Sequence, residues 1–204
     1  YPMNSVGNPY RIAVVGGIGS GKSVVSRLLA LMGVPVYDCD TRAKQLMNRD
    51  EGLRTALVGA IGDRVYGADG MLDRAYLASY MFGYPERVAQ VNALVHPAVR
   101  ADFRAWAHDT GAPIVAVETA ILYEAGMDAD VDAVCVVYAP AELRMQRAMQ
   151  RDGADEDSVS RRMSSQMPDE QLLSRATHVI CNDGRRSLIA QVTQILGKIK
   201  AERF

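Results

Sequence analysis

The sequence predicts an α/β fold in which five parallel strands form one sheet covered by helices on both faces. Three observations predict it. Short apolar runs without polar alternation occur at residues 11–16, 34–37, 114–117, 133–137 and 178–181. Such runs suit strands buried on both faces of a parallel sheet. Amphipathic helical stretches separate most of them, and strand–helix alternation is how parallel strands are connected. Finally, the first run stops abruptly at a glycine-rich turn, Gly16 to Ser23, that leads straight into a helical pattern.

Taken in order, the first strand (11–16) is followed by a helix over 22–32, with Val24, Val25, Leu28, Leu29 and Met32 on one stripe. Gly33 is placed to end that helix, since glycine readily takes the left-handed backbone of a helix C-terminus. The second strand, 34–37, terminates at Asp38-Cys39-Asp40 and completes a βαβ unit. Residues 51–110 hold no convincing strand and carry helical patterns over 54–61, 75–82, 87–94 and 99–108, which marks a helical insert. Helical stretches over 141–151, 155–166 and 187–200 accompany the remaining three strands. The sequence begins Tyr1-Pro2-Met3, with Met3 a candidate natural start, and residues 1–9 stand outside the fold argument.

A chain of 204 residues, 49% hydrophobic and 23% charged, has the balance of an ordinary globular domain. Its formal charge of −1 lacks the basic excess of proteins that live on nucleic acid, so no nucleic-acid partner is expected. No apolar run reaches the roughly 18 residues of a membrane span, and no basic-then-apolar leader opens the chain. A cytoplasmic protein with no membrane partner is therefore expected. Cys39, Cys135 and Cys181 are too few and too scattered for a disulfide framework or a zinc site, and read as buried reduced thiols.

Gly16-Gly17-Ile18-Gly19-Ser20-Gly21-Lys22-Ser23 matches G-x-x-x-x-G-K-[ST] in full. Glycines let the backbone curl so that successive N–H groups face phosphate oxygens, and the following helix adds its positive N-terminus. Lysine at this position reaches the β- and γ-phosphates, and the hydroxyl after it ligates Mg²⁺. Gly17, Gly19, Ser20, Gly21, Lys22, Ser23 and Val24 are the expected nucleotide-binding set, with Ser23 the Mg²⁺ ligand. The fold class is then a P-loop NTPase three-layer sandwich. The N-K-x-D and D-x-x-G strings of Ras-type GTPases and the L-S-G-G-Q string of transporter ATPases do not occur. Phosphoryl transfer to a small acceptor remains, which needs a base, an acceptor pocket and arginines.

Asp40 stands near the end of the second strand, where parallel sheets open their ligand crevice, and is the candidate base, with Asp38 structural. The alternative reading is that Asp40 caps a helix beginning near Thr41. Arg42 and Lys44 either meet acceptor phosphates or form a solvated face. Arg144, Arg147 and Arg151 recur on one helix face, where they either stabilise transferring phosphate or balance the acidic residues around them. Glu118, at the end of the third strand, is a candidate for orienting the Mg²⁺ water shell or the acceptor.

The ordered set of G-G-I-G-S-G-K-S, D-C-D, His96-Pro97, Ile121-Leu122-Tyr123-Glu124, the arginine helix and Ile180-Cys181-Asn182-Asp183-Gly184 resembles the dephospho-CoA kinase family. The resemblance runs from about residue 11 to 192, and departs where Ala120 stands in place of a frequent proline. It implies ATP-dependent phosphorylation of the ribose 3′-hydroxyl of dephospho-CoA, with ATP and Mg²⁺ as cofactors. It also implies a core over about 11–40, 112–140 and 176–204, a helical acceptor-binding insert over about 41–111 and a small lid over about 141–175. Asp40 falls on the base, Lys22 and Ser23 on the phosphate and Mg²⁺ positions, and Arg147 on the lid arginine, with Arg151 nearby. Asn182 falls in the segment lining the adenine, and Arg74 and His96 in acceptor-side motifs beside Asp40 and Arg42. Residue by residue, His96 also reads as a helix-end histidine before Pro97. A monomer or weak homo-oligomer is expected. The alternatives are a P-loop kinase for another nucleoside or sugar, and a nucleotide-sensing regulatory protein that binds ATP without needing the base.

Overall fold

The computed structural model describes residues 8–203, and the candidate start Met3 lies outside them. Five strands form one sheet: β1 (Tyr10–Val15), β2 (Val36–Asp38), β3 (Ile114–Glu118), β4 (Ala133–Tyr138) and β5 (His178–Cys181), in the order β2-β3-β1-β4-β5. β1 pairs in parallel with both β3 and β4, and β4 with β5. A parallel neighbour on each side explains why β1 reads as an unbroken apolar run: its last four residues are all buried. Each expected strand is present within two residues at either end.

Backbone contacts divide the chain into two compact units, Asp38–Trp106 and the described residues on either side of it. The sheet unit carries α1 (Lys22–Leu31) and, after the sheet's later strands, α6 (Ala141–Asp152), α7 (Glu156–Ser164), α8 (Asp169–Ser174) and α9 (Leu188–Arg203). Its main core gathers Ile12, Val14, Ile114, Ala116, Cys135, Val137 and Ile180 from the sheet with Val25, Leu29, Val192, Leu196 and Ile199 from α1 and α9. Val24, expected on the apolar stripe of α1, is 48% exposed, so the buried face runs through Val25 and Leu29. Gly33 does end α1, at φ 84°. The short α8 has too few residues for a helical period to show in the sequence.

The other unit is helical: α2 (Cys39–Arg49), α3 (Glu51–Ile61), α4 (Arg74–Met81) and most of α5 (Pro85–Asp109). α2 begins at Cys39, two residues before the expected start. Asp38 is its N-cap, with Oδ1 accepting from the N–H of Asp40 at 3.0 Å and of Thr41 at 3.2 Å, and Oδ2 from the Thr41 hydroxyl at 2.7 Å. Asp40 is thus a first-turn residue and not the cap. The patterns at 87–94 and 99–108 are one helix that continues through Pro97. Proline removes the N–H that would meet the carbonyl of Ala93 and crowds that carbonyl with its ring, but both residues are exposed, so the carbonyl can tilt out to water. His96 therefore sits inside a helix, half-buried, and not at its end. Arg54 of α3 ties the end of α2 to the connection between α3 and α4: its Nη1 donates to the carbonyls of Asn48 and Gly70, each at 2.9 Å, and its guanidinium lies 4.0 Å over the Tyr66 ring.

Candidate active site

The loop from Gly16 to Gly21 leaves β1 at the centre of the sheet and enters α1 at Lys22. Gly21, the residue before the helix, has φ 95°, and an added Cβ there would collide with the Asn182 amide. Only glycine meets both demands. A side chain at Gly17 would collide with the Arg144 guanidinium. The Ser20 hydroxyl is buried in the loop and has no hydrogen-bond partner among the described residues. A buried hydroxyl left open is uncommon, and a ligand oxygen is one way to satisfy it.

The residues that follow close the loop. Lys22 Nζ donates to the Gly16 carbonyl at 2.7 Å and lies 3.4 Å from the Gly17 carbonyl, so its charge is held over the curled backbone. Ser23 Oγ donates to Glu118 Oε1 at 2.7 Å. This pair brings two hard oxygens from α1 and β3 together at one sheet end. Among the described residues there is no cluster of three or more His, Cys, Asp and Glu able to hold a metal. Mg²⁺ does not need one, because it keeps several waters and takes one or two protein oxygens beside the phosphates.

Beyond the loop, Asn182 Nδ2 donates to the Ser20 carbonyl at 2.7 Å, while the Asn182 carbonyl accepts from Arg147 Nη1 at 3.1 Å. Arg147, Asn182 and Ser20 thus form one chain of contacts from α6 through the end of β5 to the loop. The amide of Asn182 is committed to shaping that loop. Its neighbour Asp183 accepts the N–H of Arg185 and of Arg186, which hold its carboxyl below the usual range.

The three arginines expected on one face of α6 have separate environments. Arg144 is buried; it pairs with Asp169 of α8 at 2.6 Å and donates from Nε to the Ala139 carbonyl at 3.1 Å. Arg147 is half-buried. Arg151 is exposed and grips Asp152 with two bonds, at 2.7 and 3.0 Å. Hydrogen bonds from Arg151 and then Arg162 hold the Asp152 carboxyl well below its ordinary range. Periodicity places residues on a face but does not say what that face meets.

In the helical unit, Asp40 is exposed, and its carboxylate makes no hydrogen bond or ion pair among the described residues. Arg42 forms a two-bond pair with Asp102, at 2.9 and 3.0 Å. Arg74 opens α4 and is exposed, behind the capping Asp73. In the sheet unit, the Arg175 guanidinium lies 4.7 Å over the ring of Tyr123, whose phenol burial pushes above its ordinary range.

A family model described as dephospho-CoA kinase matches residues 10–187. The dephospho-CoA kinase of Bacteroides fragilis is 43% identical over 187 residues, covering 91% of each chain. The chain belongs to the dephospho-CoA kinase family. A solved Thermus thermophilus structure superposes with a TM-score of 0.79 at 35% identity, covering 97% of this chain and all of that one. The dephospho-CoA kinase of Campylobacter jejuni, at 22% identity and a TM-score of 0.69 over 95% of this chain and 98% of its own, shares the fold. The sequence resemblance to dephospho-CoA kinases was therefore sound, as was the five-stranded P-loop architecture. Two features of this family member escaped the sequence. Ser23 and Glu118 were each visible but their pairing was not, and Gln166, which accepts the Ile18 N–H at 2.8 Å, carried no signal at all.

Proposed function

We propose that the chain transfers the γ-phosphoryl group of ATP to the ribose 3′-hydroxyl of dephospho-CoA, yielding CoA and ADP. The observation that carries the reading is family membership over residues 10–187 in a chain whose phosphate loop is complete and held by Lys22, Asn182 and the Ser23–Glu118 pair. The backbone N–H groups at the head of α1 and in the loop before it, those of Gly19, Gly21, Lys22 and Ser23 among them, cradle the triphosphate, while the Ile18 N–H is engaged by Gln166. Lys22 moves from its carbonyl contacts to the phosphates, where its charge offsets what develops on the transferring group.

Asp40 takes the proton of the acceptor hydroxyl as that oxygen attacks phosphorus. The proposal rests on the family likeness and on the division between two neighbouring carboxylates: Asp38 has both oxygens engaged in the cap, and Asp40 has none engaged. Arg147 meets the transferring phosphate, with Arg151 nearby once it leaves Asp152. Asn182 borders the adenine through its backbone, since its side chain serves the loop. Arg42, Arg74 and His96 are the proposed acceptor-side groups. Ser23 and Glu118 fit Mg²⁺ by the hard oxygens they bring together and would be the residues to hold it, where it would supply charge neutralisation for the phosphates. A cytoplasmic location, a monomer or weak homo-oligomer and no nucleic-acid partner complete the reading; the free thiols and near-neutral charge support it.

An ADP-release assay run in parallel with dephospho-CoA, adenosine and gluconate tests this. Turnover with dephospho-CoA alone is expected. Turnover with adenosine or gluconate instead would assign a different kinase, and ATP binding without turnover on any acceptor would assign a sensor.

A further inference from the structure

Ile18, in the first arm of the phosphate loop, is fastened twice to the helical segment that follows β4. Its side chain is buried in a small core with Ala148 of α6 and Val159 of α7, flanked by Met145, Met149 and Met163. Its backbone N–H donates to Gln166 Oε1 at 2.8 Å. Gln166 lies in the short connection between α7 and α8, three residues before Asp169, whose carboxylate holds Arg144 against Gly17. The α7–α8 connection thus reaches Ile18 directly, and the first residue of α8 holds the arginine that lies beside Gly17.

The Ile18 N–H is 148 residues distant in sequence from its acceptor and has no local alternative, because the loop there is neither helix nor strand. Ile18 is 7% exposed, so without Gln166 this donor would be left buried and unpaired unless the arm turned. Turning the Gly17–Ile18 peptide would disturb the curl that the following N–H groups need to face phosphate.

We propose that Gln166 is a positioning residue for nucleotide binding, holding the first arm of the phosphate loop in its phosphate-ready curl. The proposal rests on the kinase reading above, but it is tested on ATP binding, which does not depend on the acceptor.

The variants are Gln166→Met, which keeps length and bulk but removes the acceptor, and Gln166→Glu, which keeps an acceptor. In Gln166→Met, the Mg-ATP dissociation constant by calorimetry should rise about tenfold, the scale of one orphaned buried donor. KM for dephospho-CoA should stay unchanged. Amide hydrogen exchange at Ile18 should quicken while Ile12 and Val14 in β1 stay protected. Gln166→Glu should keep Ile18 protected, whatever its added charge does to ATP. Wild-type ATP affinity in Gln166→Met would overturn the proposal. So would unchanged Ile18 exchange, or a loss spread equally over both substrates with general loss of protection, which marks a merely structural contact. Failure of wild type to turn over dephospho-CoA would sink the kinase reading while leaving the ATP-binding result readable.

Discussion

The phosphate loop and the helical unit Asp38–Trp106 use their polar groups in opposite ways. In the loop, the side chains of Lys22, Asn182 and Gln166 all bond to loop backbone, and Ser23 is tied to Glu118. In the helical unit, Asp38 and Arg42 are engaged, whereas the carboxylate of Asp40 stands without a partner among the described residues. A loop that must present several N–H groups at once gains from being built before nucleotide arrives, since its ordering cost is met on folding. A proton acceptor needs the reverse, an unencumbered oxygen. The difference makes a forecast: changes in the loop should move ATP affinity, and changes around Asp40 should spare it.

The largest effect is expected at Asp40. Asp40→Asn should lower kcat by ~10²–10⁴-fold, the span of a lost general base, with Mg-ATP affinity by calorimetry unchanged. A kcat near wild type would remove Asp40 from the chemistry and with it one side of the comparison. Lys22→Ala is the opposite case. It should lower kcat by ~10²–10³-fold, as for removal of one preorganised charge donor, and weaken ATP binding too. Loss of kcat with full ATP affinity would mean that the lysine acts only in the transition state, and the contrast between the two regions would narrow.

What the sequence disclosed divides along the same line. The strands and the loop were readable because their signals are local: a β-branched run, a glycine stop, a lysine and serine at fixed offsets. The register of functional pairs was not, because Ser23 finds Glu118 across 95 positions and Ile18 finds Gln166 across 148. The helix through Pro97 was misread as two because proline usually ends a helix, and its tolerance there depends on the exposure of Ala93, which no pattern reveals. The arginines of α6 show the same limit. Spacing placed them on one face, but burial sends Arg144 to Asp169 and exposure leaves Arg151 to Asp152.

A smaller effect should sharpen the loop side. Glu118→Gln keeps the hydrogen bond from Ser23 possible but removes the negative charge beside it. The Mg²⁺ concentration for half-maximal rate should rise by about 10–100-fold, as for loss of a partner that orients a metal's surroundings. Saturating Mg²⁺ should restore most of kcat. Unchanged Mg²⁺ dependence would leave Glu118 as a structural partner of Ser23 and no more.

The smallest effect concerns Asp38, and it decides whether two carboxylates two residues apart really do different work. Asp38 satisfies the N–H groups of Asp40 and Thr41 and the Thr41 hydroxyl, so its loss frays the turn that carries Asp40. Asp38→Ala should destabilise the fold by about 1 kcal/mol, the usual worth of an N-cap. In a chain of this size that lowers Tm by roughly 2–4 °C in a thermal melt. Asp38→Asn, whose amide oxygen can still accept from both N–H groups, should recover most of that loss. Because the charge at 38 has no part in the proton transfer proposed for 40, Asp38→Asn should keep far more of kcat than Asp40→Asn. The reverse ranking, with a normal melt but a collapsed kcat in Asp38→Asn, would move the base from Asp40 to Asp38.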